Sequence, residues 1–116
     1  MVKLTLNCAP DEKFKIQVAD NFLKRFLGLM GRFRLDPNTG ILLTPCNSIH
    51  MMFMRFPIDV IFYDDDYKVV KIATNLKPWT GICVAPGAKG VIELPAGTLS
   101  RIPAKKLTDI KIEPES

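Results

Sequence analysis

Ile58-Asp-Val-Ile-Phe-Tyr-Asp-Asp-Asp-Tyr-Lys-Val-Val-Lys-Ile-Ala73 is the stretch that decides the fold class. Apart from Asp59, its first six residues are β-branched, aromatic or apolar, the composition of a strand. The acidic triplet Asp64-Asp-Asp66 closes that run as a turn, and Val69 to Ala73 opens the next strand. The stretch therefore predicts a hairpin. The triplet lacks further oxygen ligands at EF-hand spacing, so a turn stands ahead of a calcium site.

Toward the N-terminus the same two-residue period recurs. Val2, Leu4 and Leu6 alternate with Lys3, Thr5 and Asn7, Ala9-Pro-Asp-Glu12 reads as a turn, and Phe14, Ile16 and Val18 form the returning strand. The period then changes. Phe22, Leu23, Phe26, Leu27 and Met30 recur at helical spacing, with Asp20 at the start and Gly31 at the end of an expected three-turn helix. Gly28 inside it suggests close packing against a sheet. Asp36-Pro-Asn-Thr-Gly40 is a turn into the short strand Ile41–Leu43.

Toward the C-terminus, Lys77-Pro-Trp-Thr-Gly81 reads as a connection, Ile82–Ala85 as a short strand, and Pro86-Gly87 as a turn into Gly90–Leu94. Thr98 heads a single helical turn through Arg101, and Leu107, Ile110 and Ile112 fit a last strand. Seven or so strands and one early helix predict a mainly β, β-rich α+β fold. Its expected form is a small curled sheet or partly closed β-barrel with one packed helix in the N-terminal half. No repeat or linker divides residues 1–116, so one domain is expected.

At 116 residues and 47% hydrophobic, the chain is rich enough in apolar residues to build a core without metal or disulfide staples. Residues 1–58 carry eight Lys or Arg against four Asp or Glu, whereas residues 59–116 carry eight of each. The excess peaks at Lys24, Arg25, Arg32 and Arg34. A solvated helix face is its commoner meaning, and nucleic-acid binding is disfavoured because no aromatics interleave with basic residues across a plausible sheet face. Cys8, Cys46 and Cys83 are too few and too scattered for a disulfide scaffold. The first residues lack the apolar core of an export signal, and no run approaches a membrane span. A cytoplasmic protein without a membrane role is the expectation.

Chemistry concentrates in Thr44-Pro-Cys-Asn-Ser-Ile-His-Met-Met-Phe-Met-Arg-Phe-Pro-Ile-Asp59. Ionisable groups among such apolar neighbours must reach water or satisfy one another. On a helix Cys46 and His50 could meet, and an extended chain holds their Cα atoms about 13 Å apart; Pro45 and Asn47-Ser48 suggest a loop, which leaves the geometry open. Cys46, His50, Met51, Met52 and Met54 are soft ligands in principle, but methionine is also core filler. No metal and no cofactor is assigned. Arg55 and Asp59 flank Phe56-Pro57-Ile58; the plain reading is a structural ion pair that fixes the strand entrance, and the sharper one has Arg55 hold a small anionic or polar ligand that Asp59 orients. Glu93 sits between Ile92 and Leu94, where solvent exposure competes with a place in the same pocket. Trp79 either lids that pocket or packs as a satellite of the core. The candidate ligand-binding set is therefore Cys46, His50, Arg55, Asp59, Glu93 and Trp79, with no catalytic residue assigned.

Four blocks resemble the DUF192 (UPF0127) family of small uncharacterised proteins. They are Arg25-Phe-Leu-Gly-Leu-Met-Gly-Arg32, Gly40-Ile-Leu-Leu43, His50-Met-Met-Phe-Met-Arg-Phe-Pro-Ile-Asp-Val-Ile-Phe62 and Ala88-Lys-Gly-Val-Ile-Glu-Leu-Pro-Ala-Gly97. The resemblance spans about residues 14–112. It implies a β-rich domain with a packed helix and names no activity. Many members carry an export signal that these first residues do not resemble, and Lys105-Lys106 stands where relatives turn through Gly-Asp.

A noncatalytic binding or accessory protein with a polar pocket for a small polar or anionic ligand leads these readings. A small hydrolase using His50 with Asp59 or Cys46 is the alternative. Neither a P-loop nor a dinucleotide fingerprint is present.

Overall fold

The hairpin expected from Ile58 to Ala73 forms one flank of the main sheet. The structure is a computed structural model describing residues 2–19, 37–50, 56–77 and 82–114. Its described strands are β1 (Val2–Leu6), β2 (Ala9–Ala19), β3 (Thr39–Leu43), β4 (Ser48–His50), β5 (Ile58–Tyr63), β6 (Val69–Leu76), β7 (Ile82–Val84), β8 (Gly90–Pro95) and β9 (Ile110–Pro114). Seven of them pair in the order β6-β5-β8-β3-β2-β1-β9, while β4 and β7 form a separate antiparallel ribbon. Only β2 and β3 run parallel, with Ile16 opposite Gly40 and Val18 opposite Leu42.

The sheet curls until its two edge strands meet at one corner. There Val69 N–H donates to the Thr108 carbonyl (2.9 Å) and Ile110 N–H to the Tyr67 carbonyl (3.0 Å). Lys68 and Asp109 complete the corner as a bridge whose side chains form an ion pair. Asn7 locks it from the β1–β2 turn. Its Oδ1 accepts the Thr108 (3.0 Å) and Asp109 (3.2 Å) amides, and its Nδ2 donates to the Lys106 carbonyl (3.2 Å) and Thr108 Oγ1 (3.0 Å). The result is a partly closed barrel, because closure joins the edges at that corner and they are free to diverge beyond it.

Strand alternation divides the core into two layers. Inside the curl lie Leu4, Leu6, Phe14, Ile16, Leu42, Ile61, Tyr63, Ile92, Leu94 and Ile110, drawn from six of the seven strands. The outer face of β3, β8 and β5 is apolar as well: Ile41, Leu43, Val91, Val60 and Phe62 pack there with Ile49 and Ala85 of the ribbon segment. Lys71 on β6 ties the ribbon down through the Val84 carbonyl (3.0 Å). Covering on both faces explains why Ile58–Tyr63 reads as a nearly unbroken apolar run. Across β9, β1 and β2 the outer face instead carries Lys111, Lys3 and Lys15.

Two glycines are required by close approaches; a Cβ on Gly40 would run into the Glu93 carbonyl oxygen. Gly90 pairs with Tyr63 across β8 and β5, and a Cβ there would lie 2.6 Å from Tyr63 Cζ. The Tyr63 ring in turn stacks on Tyr67, with centroids 5.6 Å apart.

Several sequence expectations change. The β-rich α+β description is corrected to an all-β one among the described residues, whose only helical element is the 3-10 turn Ala104–Lys106. The helix expected over Asp20–Gly31 lies outside the described residues. On the inner face, cover of the kind expected from a helix comes from the turn-rich link between β8 and β9, whose Leu99 and Leu107 fill the cluster. The N-terminal hairpin turns at Asn7-Cys8 rather than over Ala9–Glu12, since Leu6 already pairs with Ala9. Pro10 is tolerated in β2 because pairing with β3 begins only at Lys15. Thr98 does not cap a helix; its Oγ1 donates back to the Pro95 carbonyl (2.7 Å). Among the described residues no helix is long and apolar enough to cross a membrane.

If Asn7 holds the corner, Asn7→Ala should cost about 1 kcal/mol, the net worth of an ordinary hydrogen bond whose partners can still reach water. Hydrogen exchange should then accelerate at the Val69 and Ile110 amides before the rest of the sheet. Uniform acceleration across all strands would remove this role from Asn7.

Candidate functional site

Asp59 is fully buried, and its position follows from strand parity. Val60 faces the outer layer, so Asp59, its neighbour on β5, faces inward and pairs with Leu94. Its Oδ1 accepts the Asn75 amide (2.8 Å) and its Oδ2 the Leu99 amide (2.9 Å). The Asn75 amide needs this acceptor because β6 bulges there. Ile58 pairs with Leu76 and Val60 with Ala73, which leaves Thr74 and Asn75 opposite Asp59 alone. Asn75 has φ +52°, a region that asparagine tolerates better than most residues. Both oxygens of Asp59 are thus engaged by the backbone.

Glu93 points the other way. It pairs with Ile41 of β3 and Val60 of β5, on the outer apolar face. Only 7% of it is exposed, so the solvent-exposed reading gives way: both faces of β8 are covered. No described residue hydrogen-bonds its carboxyl, and burial pushes its pKa from 4.5 up to about 7. Asp59 and Glu93 therefore lie on opposite sides of the sheet and share no pocket.

Cys46 does line a cavity. The chain leaves β3 through a cis Thr44-Pro45 bond, and the Cys46 amide donates to the Lys89 carbonyl (2.8 Å). Its Sγ donates to the Ser48 carbonyl (2.9 Å), and Cys46, half-buried, also packs on the outer core layer. Beside it opens a cleft of about 420 Å³ lined by Pro45, Cys46, Asn47, Asp65, Gly87, Ala88 and Lys89. Pro86-Gly87 forms the turn expected from sequence, with Gly87 at φ +88° and the Ala88 amide bonded to the Ala85 carbonyl (3.1 Å). Sequence reasoning missed Asp65 and Lys89 as members of one site. Only tertiary pairing joins three segments so distant in the chain.

The strand Ser48–His50 excludes a helical path between Cys46 and His50. The His50 side chain, Met51, Met52, Met54, Arg55, Trp79 and the cationic cluster Lys24, Arg25, Arg32 and Arg34 lie outside the described residues. Among the described residues no group of three or more His, Cys, Asp or Glu could hold a metal ion. Asp64 is spent within its own turn, where its Oδ1 accepts the Asp66 (2.8 Å) and Lys68 (3.0 Å) amides.

Comparison with known proteins gives a consistent family. The DUF192 model, described as "Uncharacterized ACR", matches residues 3–112. A UPF0127 protein from Pyrococcus furiosus is 39% identical over 104 residues, covering 84% of this chain and 87% of that one. Another, from Thermococcus sibiricus, is 38% identical over 109 residues, covering 87% and 68%. The crystal structure of a protein of unknown function from Novosphingobium aromaticivorans superposes with a TM-score of 0.80 at 25% identity, covering 97% of this chain and 82% of that chain.

Two substitutions separate the buried carboxyls. Asp59→Ala strands two amides and should destabilise the fold by about 2–5 kcal/mol in urea titration; a loss below 1 kcal/mol would mean that neither bond matters. For Glu93 the folded state holds a proton up to about 7, while the unfolded chain releases it near 4.5. Between those values the folded state binds more protons, so stability falls as pH rises and the full penalty, about 3 kcal/mol, stands above pH 7. Glu93→Gln should therefore gain stability over wild type at about pH 8 and little at about pH 4. An equal difference at both would contradict the assignment.

Proposed function

The chain belongs to the DUF192 (UPF0127) family, and within it we propose a noncatalytic binding or accessory protein that holds a small polar or anionic ligand. The observation that carries this reading is the cleft beside Cys46, whose walls bring a thiol, an amide, an ammonium and a carboxylate to one solvent-open space. Its volume lies near the lower end for ligand pockets, which suits a small molecule. Of the candidate set, Cys46 contributes directly. His50, Arg55 and Trp79 stay in the proposed ligand-binding set on the sequence reading alone.

The hydrolase alternative loses one of its two pairings. Asp59 is fully buried on the inner face and each of its oxygens accepts a backbone amide, which supports a structural carboxylate over one that orients a histidine. Glu93 is likewise placed to tune stability, since it lies mid-strand among apolar side chains.

Protein isolated from cell extract under native conditions should carry a small-molecule mass that denaturation releases. Asn47→Trp, which fills the cleft from an exposed position, should remove that mass without lowering the melting temperature. Ligand should also slow alkylation of Cys46. A protein with no retained mass, and with Cys46 alkylated at the same rate in extract and in buffer, would refute the reading.

A further inference from the structure

Two opposite charges line the cleft without meeting each other. Lys89 and Asp65 are both exposed, and among the described residues neither makes an ion pair. Their backbones are nevertheless fixed. The Lys89 amide donates to the Tyr63 carbonyl (2.7 Å), and its carbonyl accepts the Cys46 amide (2.8 Å) and the Thr44 hydroxyl (3.4 Å). Its ammonium lies 5.7 Å from the centroid of the Tyr67 ring. Asp65 sits at the tip of the turn that Asp64 organises through its carboxylate and through the Tyr67 amide (3.0 Å). Of the three consecutive aspartates, only Asp65 lines the cleft.

We propose that this cleft takes a small zwitterion, a free α-amino acid by chemical class, with its carboxylate toward Lys89 and its ammonium toward Asp65. The inference rests on the cleft being the binding site and adds the ligand's charge pattern. A simple anion drawn to Lys89 also meets the repulsion of Asp65, and a simple cation suffers the reverse. A dipolar ligand of zero net charge satisfies both walls at once. Asn47 and the Cys46 thiol lie on the same lining and add hydrogen-bonding groups for the remainder of the molecule.

The probes are L-alanine, propionate and ethylamine, which share a two-carbon side but differ in charge. Titrated into the protein at low salt and followed by amide NMR, L-alanine should shift the resonances of Cys46, Asp65 and Lys89. Propionate and ethylamine should each bind about fivefold more weakly, the upper end for an exposed charge pair. Lys89→Met should erase the preference over ethylamine, and Asp65→Asn the preference over propionate; both are surface changes whose folding the same spectra report. Binding of either singly charged probe within twofold of L-alanine would overturn the zwitterion while leaving the cleft as a binding site. Absence of any shift with L-alanine would overturn it as well. A retained mass from cell extract that Asn47→Trp removes would, in that case, still support the broader reading.

Discussion

The buried carboxyl of Asp59 is the constraint on which the arrangement of this fold turns. It accepts one amide from the bulge in β6 and one from Leu99, in the link that follows β8. Three segments far apart in sequence are joined at one side chain. Without that acceptor, the Leu99 amide would be left buried and unpaired and the bulge would lose the bond that fixes it, a cost that is a sizeable part of a small domain's net stability. With it, the Pro95–Leu99 turn is held against the inner layer and Leu99 is driven into the core. Such a residue looks like a catalytic acid in a list of polar groups. Its geometry makes it a fastener.

From that fastener the rest of the architecture follows by parity. A one-residue step along β5 separates the inward Asp59 from the outward Val60, and Val60 pairs with Glu93. The two buried carboxyls are near neighbours in the sheet and yet belong to different layers. The inner layer is completed by closure of β6 on β9 through Tyr67–Val69 and Thr108–Ile110. The outer layer spans only part of the sheet, because β9, β1 and β2 present lysines to solvent on that side while β3, β8 and β5 present aliphatic side chains. Glu93 sits within the second group, which is why its ionisation works against the fold instead of being absorbed by water.

How far the sequence carried this picture depends on whether local rules or distant pairing decide a feature. Period-two alternation located β1 and β2, strand-forming composition located β5, the Pro86-Gly87 turn announced β8, and the Asp64–Asp66 triplet marked the hairpin, since each signal is complete within a few residues. The turn at Asn7-Cys8 was displaced because Pro10 looked like a breaker, and its tolerance depends on where β3 stops pairing. Strand β4 is three residues long and exists because β7 pairs with it, so nothing within Ser48–His50 announces it. At the site the same division holds. Cys46 was legible as chemistry among apolar neighbours, but Asp59 was read as the partner of an arginine when its acceptors face two backbone amides. For Glu93 the sequence left exposure and a place in the pocket both open, because a strand's own alternation does not say whether both faces are covered.

The cleft occupies a place where these constraints relax. Its walls are the exit from β3, the β5–β6 turn and the entry to β8, all at the same end of the sheet. Each is anchored through backbone groups: Lys89 through its amide and carbonyl, Cys46 through its amide, Asp65 through the turn that Asp64 holds. Because main-chain bonds carry the anchoring, the side chains of Asn47, Asp65 and Lys89 are relieved of structural duty. Substitution there changes what the surface attracts, whereas substitution at Asp59 changes whether the sheet assembles. A scaffold built this way can vary its ligand without refolding. That separation argues for recognition at the cleft, since the groups displayed there are those the fold itself does not need.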